Sequence, residues 1–458
     1  MSAVLTQKAL SDDSFEIPES DQAGDWVVAL NEAGITYGID EELLHSFCGT
    51  RELKEDKLIV AKGKEPVFQG VRIQYHYELA KIQKADAESS SNYFDLGFGI
   101  DTFAGELLAE QVVNHSGEDG MNLFGETIPH KKIGGNPLNY NNYVTIEKTG
   151  NHTRFLSKID GVIINDSTDN IEVQPELVLR KNVDYKVGNL SLKCPISIEG
   201  NIQPGFFVRS EKDIHIKGTV EKNALVDSGG SIFLDGGVTP SATLIAGENI
   251  QLKYAQGATL KAGCDIEASS YLIDCQAKAA KVVRCTNQNP LRDKGSVIGG
   301  TINGIQAIDL VTVGSANALT TLATGVDLEL NTELHEAEES LTQVSDEMSR
   351  KTRQLSLNIL DKDFVKKLHA LPEDEKKLNL AIVQNILELR SRKKNLGSQI
   401  KHINEEISKT FCEGEITIHK ELFADVNIII NDCNTSVCHN ASQVKFRKEH
   451  DQIKTVEL

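Results

Sequence analysis

The sequence predicts a mainly β protein with some α: a parallel β-helix with a small α+β domain ahead of it and an inserted antiparallel coiled-coil hairpin behind. Two spacings carry that reading. From Leu190 an aliphatic residue falls at every sixth position, through Ile196, Ile202, Val208, Ile214, Val220, Val226, Ile232, Val238 and Leu244 to Ile250. Farther on the period becomes seven, with Leu334, Leu341, Met348 and Leu355 in one series. A period of six keeps no face of an α-helix, whereas a chain that makes one straight run per six residues and then turns needs one inward aliphatic per side. A period of seven is a coiled-coil seam.

In chain order, residues 1–21 are polar and acidic and are expected to be a flexible terminus. Residues 22–80 are expected to form the α+β domain. Asp25 to Ala33 has helical periodicity and stops at Gly34, a C-cap residue. Asp40 is placed to N-cap a second helix from Glu41 to Phe47, with acids in its first turn. Two alternating strands follow, Lys57 to Gly63 and Val71 to Tyr77, around a Gly/Pro turn. Residues 81–164 read as a strand-rich extension punctuated by glycine. There Gly117 to Gly125 resembles a phosphate cradle, but Glu118 and Asp119 stand where anions are unwelcome and no Gly-Lys-Ser/Thr follows, so tight turns are expected. A turn is likewise expected at Gly299-Gly300-Thr-Ile-Asn-Gly304, which opens no helix.

Residues 165–325 are assigned to the β-helix. Every eighteen residues one side carries a second inward aliphatic and then a glycine: Ile196-x-Ile198-x-Gly200, Ile214-x-Ile216-x-Gly218, Ile232-x-Leu234-x-Gly236. Tyr254 stands where the fourth glycine would be, and another side has small residues at Ser210, Ser228 and Ala246. Eighteen residues therefore make one rung of three unequal sides, with like positions stacked about 4.8 Å apart. After Ile250 the register slips by two residues and resumes at Leu260, Ile266 and Leu272, as a shortened rung requires. The positions after each aliphatic hold Ser197, Gln203, Arg209, His215, Glu221 and Asp227 rather than the glycine of left-handed acyltransferase helices, and parallel crossovers favour the right hand, so a right-handed helix is expected.

Residues 326–411 carry the heptads. Leu330, Ala337 and Val344 partner the first seam; after Leu371-Pro372 come Ile382, Leu389, Leu396 and Ile403, beside Ile386, Ile400 and Ile407. Two such helices joined by a short Pro-containing turn make a hairpin of about 35 residues per arm, roughly 50 Å long. Lys351 and Lys393 fall on seam positions, where they either fix register or mark a splayed stretch with the ammonium groups in water. In residues 412–458 alternation returns, at Glu415 to Ile418 and Val426 to Ile430, so the hairpin is an insertion and the tail returns strands that cap the β-helix end.

The bulk numbers narrow the function. A net charge of −19 in 458 residues argues against a nucleic-acid partner and against docking on an anionic membrane. No run reaches membrane-span length and the N-terminus has no charged lead before an apolar stretch, so a cytoplasmic location is expected. The eight cysteines lack paired short spacings and read as reduced; Cys264 and Cys275 are fillers of the β-helix, and Cys433 and Cys438 lack a histidine at ligand spacing, so neither metal nor cofactor is expected.

The motifs together resemble the flagellar assembly protein A family of bacterial proteins. Those that carry the likeness are Leu58-Ile-Val-Ala-Lys-Gly63 with Gly70, the Gly117, Gly120, Gly125, Ile128-Pro129 series, Ile159-Asp-Gly-Val-Ile163, Asn182-Val-Asp-Tyr-x-Val-Gly188-Asn189, Asp213-Ile-His-Ile-x-Gly218-x-Val220-Glu221 and Gly299-Gly300. Leu192-Lys-Cys-Pro195 and Val238-Thr-Pro240 depart from the family's glycine-rich turns. The resemblance implies no catalytic residues. It implies a role in building or placing polar flagella, with flagellar or polar-landmark proteins as partners and a link to the glucose-specific IIA component of the sugar phosphotransferase system.

Three function classes compete at this level. A carbohydrate-active enzyme would need clustered acids and aromatic platforms; Asp213, Asp227, Asp235 and Asp265 lie near turns, aromatics are only 5% of the chain, and His215 is an isolated outward side chain. A bactofilin-like filament would need free β-helix ends. A scaffold fits best: a stiff rod holding two docking parts, its negative charge steering basic partners, with a homo-oligomer left open.

Overall fold

A computed structural model describes residues 2–6, 22–50, 57–77, 99–164, 170–286, 295–316, 318–355 and 363–458. The chain divides into two compact units, residues 1–81 with 99–175 and residues 82–98 with 176–458.

In the first unit, α1 (Ala23–Glu32) and α2 (Glu41–Thr50) cover a core of Trp26, Leu30, Leu44, Phe47, Cys48 and Val60. Trp26 and Phe47 meet edge to face with ring centroids 5.6 Å apart. Both helix boundaries follow from the sequence: Gly34 turns the chain at φ +86° after α1, and the Asp40 carboxylate accepts the Leu43 N–H at 2.9 Å to cap α2. Two expectations are corrected. Ser2–Thr6, read as part of a loose terminus, form a strand antiparallel to Lys57–Lys62, because backbone pairing along that edge needs no strong side-chain pattern; residues 7–21 lie outside the described residues. The boundary expected near residue 80 falls inside the unit, because Gln69–Tyr75 does not turn back on Lys57–Lys62. It pairs antiparallel with Leu107–Asn114, at the heart of a five-stranded sheet completed by Val144–Thr149, His152–Ser157 and Lys132–Ile133. A four-stranded sheet of Ile100–Thr102, Gly161–Ile164, Asn170–Gln174 and Asn139–Tyr140 closes the unit, so Asn170–Gln174 belongs here rather than to the β-helix.

The second unit is the predicted solenoid, starting at Leu177–Leu179. Ile196 pairs in parallel register with Ile214, Ile214 with Ile232, and Ile232 with Ile250; Val208, Val226 and Leu244 stack likewise, and Ile202, Val220 and Val238 are linked by single bridges. All are fully buried. The two-residue slip is present as well: Leu244 pairs with Leu260 and Ile250 with Ile266. Tyr254, expected from the sequence at the fourth glycine position, pairs instead with Gly237 across a register shift and stacks on Tyr271 with ring centroids 5.1 Å apart.

Between the strands Thr320–Thr324 and Glu415–Leu422 the chain leaves the ladder as α3 (Leu328–Gln354), α4 (Phe364–His369) and α5 (Glu373–Thr410). Helices α3 and α5 pack chiefly on each other, and every heptad position from Leu330 to Leu355 and from Ile382 to Ile407 is buried or half-buried. The seam lysine Lys393 donates to Ser345 Oγ on α3 at 3.0 Å, so it is a cross-helix contact that marks register; Lys351 is half-buried. The connection differs from the short turn expected at Leu371-Pro372. A further short helix, α4, precedes Pro372, which serves as N-cap of α5, a position where a missing N–H costs nothing, and residues 356–362 lie outside the described residues. At 38 residues, α5 is about 57 Å long. Gly397 lies within the continuous helix α5 with nothing within 4 Å of a Cβ built on it, so Gly397→Ala is expected to raise hairpin stability by about 0.5–1 kcal/mol, measured as a later urea midpoint for loss of helical circular dichroism.

After the hairpin the ladder resumes. Glu415–Leu422 lies parallel on Ala307–Val313 and Val426–Ile430 parallel on Thr320–Thr324. Then the direction reverses: Ala441–Glu449 pairs antiparallel with Glu415–Leu422, and Cys433–Ser436 antiparallel with Val426–Ile430. These strands occupy the backbone donors that another parallel rung would use, which blocks end-to-end stacking at this end.

Candidate functional site at the root of the helical hairpin

Where α3 leaves the solenoid, a polar network is built into otherwise apolar rungs. Asp327, 8% exposed, caps α3 by accepting from the N–H groups of Glu329 at 3.0 Å and Leu330 at 3.3 Å. Beneath it Asn303 is 3% exposed; its amide donates to the carbonyls of Ala323 at 3.1 Å and Val326 at 2.8 Å, and its oxygen accepts the Leu328 N–H at 3.3 Å. One side chain from the ladder thus fixes the last strand residues and the first helical one. On the return, Asn431 donates to the carbonyls of Gly325 and Cys412, both at 3.0 Å, tying the outgoing strand to the incoming one. Beside these lies a cavity of about 330 Å³ lined by Asn331, Ile407, Thr410, Phe411, Asp432 and Lys448 among others, and Phe411 is 69% exposed.

Charge reinforces the root. Lys278, stacked on Lys261 through the parallel ladder and itself partnered with Asn303, reaches Asp327 at 2.8 Å and Glu329 at 2.9 Å, while Lys261 reaches Glu329 at 2.6 Å. Burial works against both charged partners, yet the hydrogen bonds prevail: Lys278 is held above the usual ammonium range by Asp327 and Glu329, and Glu329 below the usual carboxylate range by Lys261 and Lys278. A lowered Glu329 pKa stabilises the fold above its unfolded value and loses that contribution as pH falls through the folded one; a raised Lys278 pKa stabilises it below its unfolded value and loses that contribution as pH rises through the folded one. Lys278→Met is therefore expected to cost about 1 kcal/mol at neutral pH, discounted for partial exposure, and progressively less below about pH 4, read from urea midpoints of both proteins across pH.

Four of the residues weighed for catalysis make structural contacts. The Asp213 carboxylate accepts the Ser231 N–H at 2.7 Å, and Asp265 the Val282 N–H at 3.0 Å, each bracing a corner to the next rung. Asp227 pairs with Arg209 at 2.9 Å, and the His215 ring stacks on Phe233 with centroids 4.5 Å apart. His215 and Asp235 do line an open groove of about 720 Å³ with Lys253, Glu267 and Arg284, but Arg284 bridges Asp265 and Glu267, so its charge is already engaged. Burial pushes the Cys285 thiol up to about 12 and raises that of Cys275. Such thiols stay protonated and unreactive at neutral pH. Cys264 and Cys433 are half-buried and Cys438 is exposed, and among the described residues no group of three His, Cys, Asp or Glu could hold a metal ion.

Two family models match this chain, the flagellar assembly protein A N-terminal region over residues 19–168 and its β-solenoid domain over residues 175–453. The chain belongs to the flagellar assembly protein A family. Its flagellar assembly role follows from that membership. No curated protein and no solved structure matches the chain. The solenoid match spans the hairpin, so the hairpin is part of what the family model covers. No described helix is long and apolar enough to cross a membrane.

The motifs that resemble the family turn out to be fold determinants. Gly70, at φ +122°, would put a Cβ 1.8 Å from the Ile133 carbonyl oxygen. Gly117 to Gly125 form the tight turn joining Gly120–Met121 to Thr127–Ile128, with Asn122 accepting from the N–H groups of Phe124 and Glu126. Asn182 and Asn189 accept the N–H groups of Asn201 and Phe207 one rung on. Gly299 and Gly300 turn a solenoid corner at φ +70° and +76°. The root residues Asn303, Lys278 and Asn431 were not singled out by sequence; Asn303 follows Lys261 and Lys278 in a ladder column of mixed composition that gives no signal of its own.

Proposed function

We propose that this protein is a non-catalytic scaffold of polar flagellar assembly, cytoplasmic and recruited to the flagellated pole, that engages protein partners through the helical hairpin and the N-terminal region. The observation that carries the reading is the hairpin's insertion into an otherwise continuous parallel ladder. The solenoid strands resume in register across it, and a buried Asn303–Asp327 network holds its root, as befits a rigid mount for a docking arm. The engaged acids and the buried, protonated thiols favour this reading over an enzyme, and the antiparallel tail favours it over a filament. Family resemblance adds the candidate partners: flagellar or polar-landmark proteins, and the glucose-specific IIA component of the sugar phosphotransferase system.

The test replaces residues 332–408 by a short linker. The expected result is a solenoid that keeps its β-sheet circular dichroism and cooperative melting while the cells lose normal flagellation and motility. Normal swimming with the truncated protein would remove the hairpin from the recruiting role. Pull-downs with the full chain and the truncated chain would then identify partners that depend on it.

A further inference from the structure

Helix α5 is apolar on two sides. Ile382 and Ile386 are buried in the seam with α3. At about 100° per residue, Leu380 and Leu387 point about 160° and 140° away from Ile382 around the helix axis, and Val383 about 100° away. Leu380 and Leu387 are 47% and 58% exposed, and Val383 is half-buried. These three stand at i, i+3 and i+7, the spacing of a coiled-coil seam, on the side turned from α3.

Cations close both ends of this stripe. Residues 376–394 hold Lys376, Lys377, Arg390, Arg392, Lys393 and Lys394 against the single acid Glu388, in a chain of net charge −19. Lys393 is engaged with Ser345 across the seam, and Lys376 with Glu373 at 3.2 Å. Lys377, Arg390 and Lys394 are exposed and make no ion pair with any described residue. Lys377 and Lys394 are about 26 Å apart along the helix, one before the leucines and one after.

We infer, resting on the reading of the hairpin as a docking arm, that this face of α5 binds an acidic amphipathic helix of a partner protein, with an apolar stripe of matching spacing and carboxylates toward both its ends. Charge complementarity selects the occupant. A helix laid along α5 buries Leu380, Val383 and Leu387 in a second seam and brings its acids to Lys377 at one end and to Arg390 and Lys394 at the other. Nucleic-acid phosphates would satisfy the cations but leave the leucines uncovered. A bilayer surface suits a helix with a broad apolar face and cations along both flanks, whereas here the stripe is short and the cations stand at its ends. A second copy presenting the same face would set like charges together.

The experiment measures binding of the full chain, by fluorescence anisotropy at 50 mM NaCl, to a cross-linked 21-residue helical peptide with three leucines spaced i, i+3 and i+7 at its centre and glutamate in its end turns. A twin peptide carries lysine in place of glutamate. The glutamate peptide is expected to bind at least tenfold more tightly than its twin, and about tenfold more weakly at 500 mM NaCl as the charges are screened. Leu380→Gln/Leu387→Gln should weaken binding at least tenfold with unchanged helical circular dichroism. Lys377→Glu/Arg390→Glu/Lys394→Glu should reverse the preference between the two peptides, a gain that a misfolded chain would not show. No saturable binding of the glutamate peptide at 200 μM protein overturns the inference. Equal binding of both peptides does so too, as do tighter binding to phosphatidylglycerol vesicles than to the peptide and self-association that the leucine substitutions abolish. Lost motility on removal of residues 332–408, with no peptide bound by the full chain, would sink this face and leave the docking arm. Normal swimming on that removal, with the peptide still bound by the full chain, would sink the arm and leave the face.

Discussion

Replacing Gly236 by alanine is expected to destabilise the solenoid by about 3 kcal/mol, one of the largest effects open to a single methyl group in this protein. The residue belongs to a column. A Cβ built on Gly218 would lie 2.4 Å from the Gly200 carbonyl oxygen, and one built on Gly236 only 2.0 Å from the Gly218 carbonyl oxygen. The obstacle is backbone of the neighbouring rung, held at ladder spacing by hydrogen bonds on both sides, so no rotamer change relieves it. Relief requires the corner to open, which separates the stacked Ile214–Ile216 and Ile232–Leu234 sides that bury four aliphatic side chains. Because each rung rests only on its neighbours, damage at one corner weakens the stack on either side. The measurement is the urea midpoint of β-sheet circular dichroism. Gly397→Ala is the internal control: the same added methyl in open space should shift stability the other way. A Gly236→Ala protein as stable as wild type would mean that these corners are loose, and the rung geometry drawn from the glycine column would be wrong.

The solenoid was legible because its constraint is repetitive and local. Each side asks the same thing of the sequence, one inward aliphatic every six residues, and even the shortened rung after Ile250 announces itself as a two-residue slip. The heptads of α3 and α5 were legible for the same reason. What escaped the sequence depends on pairing between distant segments. Ser2–Thr6 has nothing in its composition to say that Lys57–Lys62 will recruit it, and Gln69–Tyr75 alternates equally well whether it folds back locally or pairs with Leu107–Asn114. The hairpin root is harder still, because alternation puts Asn303 on the outer side of its strand and only the start of α3, laid over it, makes it buried. Net charge misled in a different way: a sum of −19 conceals that residues 348–394 carry twelve Lys and Arg against six Asp and Glu.

Asn303→Ala is expected to cost about 3 kcal/mol and to loosen the hairpin without dissolving the solenoid. The side chain makes three hydrogen bonds in a site closed to water, to the carbonyls of Ala323 and Val326 and to the Leu328 N–H. Truncation leaves three backbone groups without that partner, and an unmet buried group costs about 1–3 kcal/mol, part of which the opening of the root to solvent will recover. The loss falls at one place because every bond made by Asn303 lies between the end of the last strand before the hairpin and the first turn of α3. Hydrogen exchange should therefore quicken at residues 326–331, and at 410–414 where the returning chain shares the site through Asn431, while residues 196–250 keep their protection. Asn303→Asp separates shape from chemistry. It keeps the size and the acceptor for Leu328 but removes both donors and brings a carboxylate toward two carbonyls and the Asp327 cap. Its cost should exceed that of alanine at neutral pH and shrink as the new carboxyl is protonated in acid. If the root of either variant exchanges as slowly as wild type, the hairpin is held by its coiled-coil seam and the Lys278 ion pairs alone, and the mount is not where the arm derives its rigidity.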